Sequence, residues 1–297
     1  MCLVALALGQ SRRFPLVLAS NRDEFFDRPA AALDWWTPPG GGPAILAGRD
    51  LQVGGTWFGV SASGRLALVT NVRAPSAARA AAPSRGELVP RWLRGDQPFH
   101  AHWQDTTRAG YNGFNLIAAD AALGEWTWAS NAGLPPRRLG PGLYGLSNAA
   151  LDTPWPKTER LKQRVHGALT ETSAEAPPEA LAERLFDALA DRRIVADAEL
   201  PATGIPLDRE RELSAAFIRT ADGRYGTRCS IVLLTERTAQ GSKLTHVFER
   251  SFDDGADKRA LRRTRLPDWP PGAGGASLTE RVVTDAPLVQ AGAERKP

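Results

Sequence analysis

The chain has 297 residues, 42% of them hydrophobic and 24% charged, with 28 Gly, 23 Pro and a net charge of +4. This globular composition excludes wholesale disorder, collagen and coiled coil, and no apolar run approaches the ~18 residues of a membrane span, so no integral membrane association is expected. The basic excess is mild and arginine is scattered rather than striped, so no nucleic-acid partner is expected either.

The first nine residues, MCLVALALG, are apolar and must be weighed as a signal peptide. They lack a charged n-region, since Arg12 and Arg13 follow the apolar stretch, and a second β-like run comes at residues 14–20. A strand, a short hairpin connection and a second strand is the better reading, and the expected location is cytoplasmic. Further strands are expected at 44–47, 56–61 and 65–71, the last two joined by Ala-Ser-Gly. The Ala/Pro-rich stretch 74–83 reads as a mobile loop, and residues 85–93 as a helix with Ser84 as N-cap. Strands are then expected at 113–119, 125–130 and 142–146. Two helices follow at 157–169 and 178–189, where Leu161, Val165 and Leu169, then Leu181, Leu185 and Leu189, recur every four residues. Strands at 229–236 and 245–252 complete the set. Strands in hairpins with helices in separate blocks predict an α+β fold of antiparallel sheets covered by helices. Without an internal repeat or a linker, residues 1–252 read as one domain. Residues 253–297, charged and then Pro/Gly-rich, read as a disordered tail.

Nucleotide and hydrolase signatures are missing: there is no GxxxxGK[ST], no GxGxxG opening a helix and no GxSxG. His100-x-His102 reads as a surface or structural pair, His166 lies off the leucine face of its helix, and His246 lies in a strand. No metal site is expected. The two cysteines, Cys2 and Cys229, form neither a disulfide framework nor a CxxC zinc site, and a reducing compartment is the default.

The position of Cys2 has chemical meaning. Met1, the only methionine, precedes a small residue and would ordinarily be trimmed, leaving the Cys2 thiol beside a free α-amine. An amine of pKa about 7.7–8.0 is a general base placed by the covalent bond itself. The alternative is a small buried residue on the first strand. Asn21-Arg22-Asp23-Glu24 follows the second strand, and a hairpin returns that end to the start of the first. Arg22 could lower the thiol pKa and Asp23 hold the amine; the alternative is a solvated turn with a surface ion pair. Cys229, in an apolar strand, reads as core.

Several motifs together resemble one family. They are Met-Cys at the start, Ala-Ser-Asn-Arg-Asp-Glu-Phe-Phe-Asp-Arg-Pro (19–29), Ala-Gly-Arg-Asp (47–50) and Gly-Gly-Thr-Trp-Phe-Gly-Val (54–60). Leu-Val-Thr-Asn-Val-Arg (68–73), Ser-Arg-Gly (84–86), Tyr-Asn-Gly-Phe-Asn-Leu (111–116), Leu-Ser-Asn (146–148) and Leu-Asp-Thr-Pro-Trp-Pro-Lys (151–157) complete the set. The chain resembles the NRDE family, whose eukaryotic members are called transport and Golgi organisation protein two, through about residue 252.

The resemblance implies a branch of the N-terminal-nucleophile (Ntn) hydrolase fold, a four-layer αββα sandwich nearest to the choloylglycine hydrolase type with its N-terminal Cys. It assigns Cys2 as nucleophile, Arg22 and Asp23 as its neighbours, and Asn71 and Asn148 as oxyanion donors. Arg228 takes the place of a late Arg near the nucleophile. Asn21, Glu24 and Trp57 are the expected ligand-binding residues. Two functions stay open. One is a cysteine hydrolase of a non-peptide amide, ester or thioester that needs no cofactor. The other is a non-catalytic protein trafficking haem, or binding a lipid or acyl-CoA, on the same fold. Family members have been tied to haem mobilisation, but no His or Cys here carries a recognisable haem-ligation motif.

Overall fold

A computed structural model describes residues 2–77, 79–252, 259–271 and 283–289. In chain order the strands begin with β1 (Cys2–Leu8), β2 (Leu16–Phe25), β3 (Ala30–Trp36), β4 (Ile45–Asp50), β5 (Phe58–Ser61), β6 (Arg65–Asn71) and β7 (Phe114–Asp120). They continue with β8 (Glu125–Ser130), β9 (Arg137–Arg138), β10 (Gly142–Leu146), β11 (Tyr225–Arg237), β12 (Lys243–Phe252), β13 (Arg259–Pro267) and β14 (Val283–Val289). The helices are α1 (Leu88–Arg94), α2 (Phe99–Arg108), α3 (Pro156–Glu171), α4 (Pro178–Leu189) and α5 (Leu207–Glu212).

Alternation along the strands generates the layers. In β1, Val4, Leu6 and Leu8 face one side and Leu3, Ala5 and Ala7 the other, and all are buried. The first set meets Leu46, Phe58, Leu66, Leu68 and Ile117 of a second sheet. The second set meets Leu161, Val165, Leu181 and Leu185 of α3 and α4. On the outer face of the second sheet, Val69, Leu116 and Ala118 pack against Leu88, Val89, Trp92 and Leu93 of α1, with Phe99 and Trp103 of α2 alongside. The result is the four-layer αββα sandwich of antiparallel sheets that the resemblance implies. One sheet has the order β10-β1-β2-β11-β12-β13-β14 and the other β3-β4-β5-β6-β7-β8-β9. The apolar amino-terminal run is thus a core strand, paired on one side with β10 and on the other with β2. No helix among the described residues is long and apolar enough to cross a membrane.

Three differences from the sequence reading have clear causes. First, β2 runs on to Phe25, so Asn21–Glu24 lies inside a strand and not in a turn after it. Pairing with β11 along all four residues, and with β1 at Asn21 and Arg22, satisfies backbone groups that an isolated polar run would leave to water. Second, α2 went unseen because its sequence is polar overall, and only Phe99, His102, Trp103 and Thr106 turn inward. Third, the expected disordered tail does not start at 253: β13 pairs with β12 along Arg259–Pro267, and Trp269 is fully buried between the sheets. Residues 253–258, 272–282 and 290–297 of that expected tail lie outside the described residues.

Trp269 donates its indole N–H to the Ser61 carbonyl at 2.8 Å and joins the inter-sheet core. Trp269→Ala should therefore destabilise the fold by about 3–5 kcal/mol in urea titration. A variant within about 0.5 kcal/mol of the native chain would show that this segment adds nothing to the core.

Candidate active site

At one end of the sandwich the two sheets part to leave a cleft of about 390 Å³. The register of the β1–β2 hairpin sets Cys2 opposite Arg22, and β11 places Cys229 on the other side of Arg22. Since successive side chains of a strand alternate, Arg22 faces the cleft with Cys2 while Asn21 faces α4. The Asn21 amide donates to the carbonyls of Leu189 and Ala216 at 2.9 and 2.8 Å, and its oxygen accepts from the Ser230 hydroxyl at 2.6 Å. Asn21, expected among the ligand-binding residues, thus does not line the cleft and bonds to the scaffold. Alternation splits the motif.

The cleft brings together six of the nine expected residues: Cys2, Arg22, Asp23, Glu24, Trp57 and Asn71. Cys2 is 8% exposed. Burial pushes its thiol above the usual range, and Arg22 acts in the opposite direction. Arg22 is itself buried, with its guanidinium stacked 4.2 Å from the centre of the Trp57 ring. Such a stack is worth about 2 kcal/mol when desolvated. Its Nη2 lies 3.9 Å from Glu24 and 3.7 Å from Asp50, and its Nη1 has no hydrogen-bond partner among the described residues. Asp23 is buried against the hydroxyl of Thr227, which donates to it at 2.7 Å. Burial raises the Asp23 pKa, and the amino terminus, Lys157, Thr227 and Arg22 counter that rise.

The two expected oxyanion residues separate. Asn71, at the end of β6, lines the cleft, and its side-chain amide makes no hydrogen bond among the described residues. Asn148 is fully buried, donates to the Asn71 carbonyl at 2.8 Å and accepts from Ser147. Ser147 also donates to the Cys2 carbonyl at 3.2 Å. Asn148 thus ties β6 to the end of β10 and supports Asn71 instead of lining the cleft. Arg228 is displaced as well. It occupies the irregularity in the β2–β11 register between Thr227 and Cys229, and donates to the carbonyls of Phe25, Phe26 and Arg28. These bonds hold the chain where β2 ends.

Four residues of the site went unassigned in the sequence. Asp50 accepts from Arg28 Nε at 2.6 Å, and this pair forms a charged rim with Arg22 and Glu24. Arg85 enters from the turn after Ser84 and donates to the Gly113 carbonyl. That turn approaches so closely that a Cβ on Gly55 would lie 2.6 Å from the Gly86 carbonyl, so only glycine fits. Lys157 lies behind Asp23, 2% exposed, donating to the Leu213 carbonyl at 2.8 Å. Burial pushes it down to about 8, against the pull of Asp23. All four fall in the motifs quoted above, and Lys157 stands one helical turn before Leu161, on the buried face. Alongside it runs a buried Arg73–Glu210 ion pair at 2.5 Å, with Arg73 stacked over Trp155.

Among the described residues no group of three or more His, Cys, Asp or Glu side chains could hold a metal ion. His102 is buried against Trp92, and burial pushes it down to about 4. His246 lies between Glu236 and Arg263. Neither lines the cleft.

The layer order and the thiol define a four-layer αββα protein with a cysteine in the cleft between its two sheets. The family model described as Transport and Golgi organisation 2 matches residues 1–254, and the chain belongs to that family. It is 38% identical over 253 residues to the Transport and Golgi organization protein 2 homolog of Bos taurus, covering 78% of this chain and 89% of that one. To the Homo sapiens homolog it is 36% identical over 266 residues, covering 81% and 92%. The crystal structure of the C2A mutant of conjugated bile acid hydrolase from Clostridium perfringens superposes over 96% of both chains, with a TM-score of 0.49 and 8% identity.

Two measurements check these assignments. Asn21→Ala should lower stability by about 3 kcal/mol in urea titration, since two buried carbonyls and a hydroxyl lose their partner. An effect below about 0.5 kcal/mol would contradict the structural role. For Lys157, the folded pKa lies below the ordinary 10.5, so the unfolded chain holds the extra proton between about 8 and 10.5. Its contribution to stability therefore rises with pH across that window. Compared with Lys157→Met, the native chain should gain stability between about pH 7.5 and about pH 9.5. An unchanged difference would mean that Lys157 titrates normally.

Proposed function

We propose that the protein is a cysteine-nucleophile hydrolase acting on a small non-peptide amide, ester or thioester. The observation that carries this reading is the Cys2 thiol in a cleft with the Arg22 cation opposite it and an unengaged Asn71 amide on the facing sheet. Burial raises the thiol pKa, so attack at neutral pH needs a base. In this reading Met1 is removed and the Cys2 α-amine serves as that base, with Asp23 orienting it. The thiol sulfur bonds to the substrate carbonyl carbon while its proton passes to the amine. The carbonyl oxygen becomes an oxyanion that accepts from Asn71. A donor of this kind contributes about 2.7–4 kcal/mol to the barrier. Collapse expels the leaving amine, alcohol or thiol, which takes up the proton, and leaves a thioester on Cys2. Water, deprotonated by the same amine, then releases the acid and restores the thiol.

The cytoplasm is the setting of this reading. Cys2 and Cys229 are free and stand on strands separated by β2, about 9.6 Å apart by strand spacing and beyond disulfide reach.

Intact-mass spectrometry after incubation with a thiol-directed acyl probe tests the reading. The expected result is a chain lacking Met1 and carrying one adduct, which Cys2→Ala abolishes. A retained Met1 with no adduct would overturn it. Haem titration of the same protein is the competing arm: a Soret shift abolished by Cys2→Ala, without acyl turnover, would favour binding over hydrolysis.

A further inference from the structure

Trp57 was expected to touch ligand, yet its contacts assign it other work. A Cβ on Gly48 would lie 2.4 and 2.5 Å from its Cζ2 and Cη2, so the ring occupies the space that the missing side chain leaves on β4. Arg22 stacks on the same indole at 4.2 Å. The indole N–H is buried and makes no hydrogen bond among the described residues, so packing alone orients the ring. Arg22 in turn has few other restraints. Its two carboxylate neighbours stand at 3.7 and 3.9 Å, beyond hydrogen-bond length, and Nη1 is buried with no partner among the described residues. A long side chain held so loosely would move away from Cys2 without a surface to lie on.

We infer that Trp57, seated in the space left by Gly48, is a positioning residue that holds the Arg22 guanidinium against Cys2. The motifs Ala-Gly-Arg-Asp and Gly-Gly-Thr-Trp then meet in a single device: a strand glycine makes room for the ring, and the ring supports the cation. The consequence is electrostatic. Cys2 is faced by the chain's own amino terminus, which lowers its pKa, by Arg22, Asp23 and Glu24 from β2, by Tyr225 and Cys229 from β11, by Lys157 from α3 and by Arg85 from the turn after Ser84. Among these Arg22 is the cation in direct strand register with Cys2, and it opposes the rise that burial imposes on the thiol. A neutral indole exerts no such pull itself, so Trp57 acts on the thiol only through Arg22.

The inference rests on Cys2 being the working thiol, but its test needs no substrate. The rate of Cys2 carboxamidomethylation by iodoacetamide, followed at the peptide level against pH, reports thiol ionisation whether or not the chain hydrolyses anything. Trp57→Leu and Gly48→Ala should each raise the midpoint by about 1 pH unit, as expected when an opposite charge leaves a site. Arg22→Gln should raise it similarly, and adding Trp57→Leu to Arg22→Gln should change nothing further. Merely opening the cleft to water would lower the midpoint, since hydration favours the thiolate. A folded Trp57→Leu chain with an unmoved or lowered midpoint overturns the inference, as does an equal upward shift in the Arg22→Gln background. Should Trp57→Leu and Gly48→Ala not fold, Trp57→Phe decides: a smaller upward shift is expected, and none overturns the inference. Failure to form an acyl adduct alongside a normal Arg22-dependent midpoint would count against hydrolysis alone.

Discussion

The antiparallel register of β1 with β2 is the constraint on which the site depends. It sets Cys2 opposite Arg22 near the end of two central strands whose backbone groups are paired on both sides. A slip of one residue would turn Arg22 toward the helices and Asn21 into the cleft, because side chains alternate with a period of two. Two buried faces forbid that slip. Val4, Leu6 and Leu8 must meet the second sheet, and Leu3, Ala5 and Ala7 must meet α3 and α4. Apolar packing far from the cleft thus specifies which charge stands beside the thiol.

The second constraint is the tie between the sheets at the cleft end. Asn148 donates to the Asn71 carbonyl and Ser147 to the Cys2 carbonyl, so the residues just past β10 reach both sheets. Side chains that an oxyanion site could use for substrate are here spent on backbone, and Asn71 is left with its amide unengaged. Asn21 and Arg228 follow the same logic, each satisfying buried or turn carbonyls. A buried carbonyl without a donor costs about 1–3 kcal/mol, which is reason enough for such residues to be present whatever the chemistry.

The concentration of buried and half-buried charge at this end also needs a physical account. Arg73 and Glu210 form a direct pair, Arg28 and Asp50 another, and Lys157 stands behind Asp23. Burying ions is costly unless opposite charges and hydrogen bonds compensate, and replacing such pairs by apolar residues is often neutral or stabilising. Groups shifted in opposite directions, a carboxyl up and a lysine down, within one cluster behind a cleft are the usual mark of a functional site.

Much of the fold was legible in the linear chain. Period-two runs located the central strands, and leucines four apart located α3 and α4, because burial on one face dictates both patterns. The chemistry open to Cys2 was legible as well, since that of a thiol near a freed amine depends only on its place in the chain. The sequence could not show where β2 ends. Polar residues look like a turn until β11 along all four, and β1 at Asn21 and Arg22, supply their backbone bonds. Nor could it show that Asn21, Asn148 and Arg228 bond to backbone carbonyls while Asp50, Arg28 and Arg85 line the cleft and Lys157 stands behind Asp23. Those assignments depend on which carbonyls and charges lie within a few ångströms across long sequence separations. Residue types determined what chemistry was possible here; strand register and the approach of the two sheets decided which copies of each type stand at the cleft.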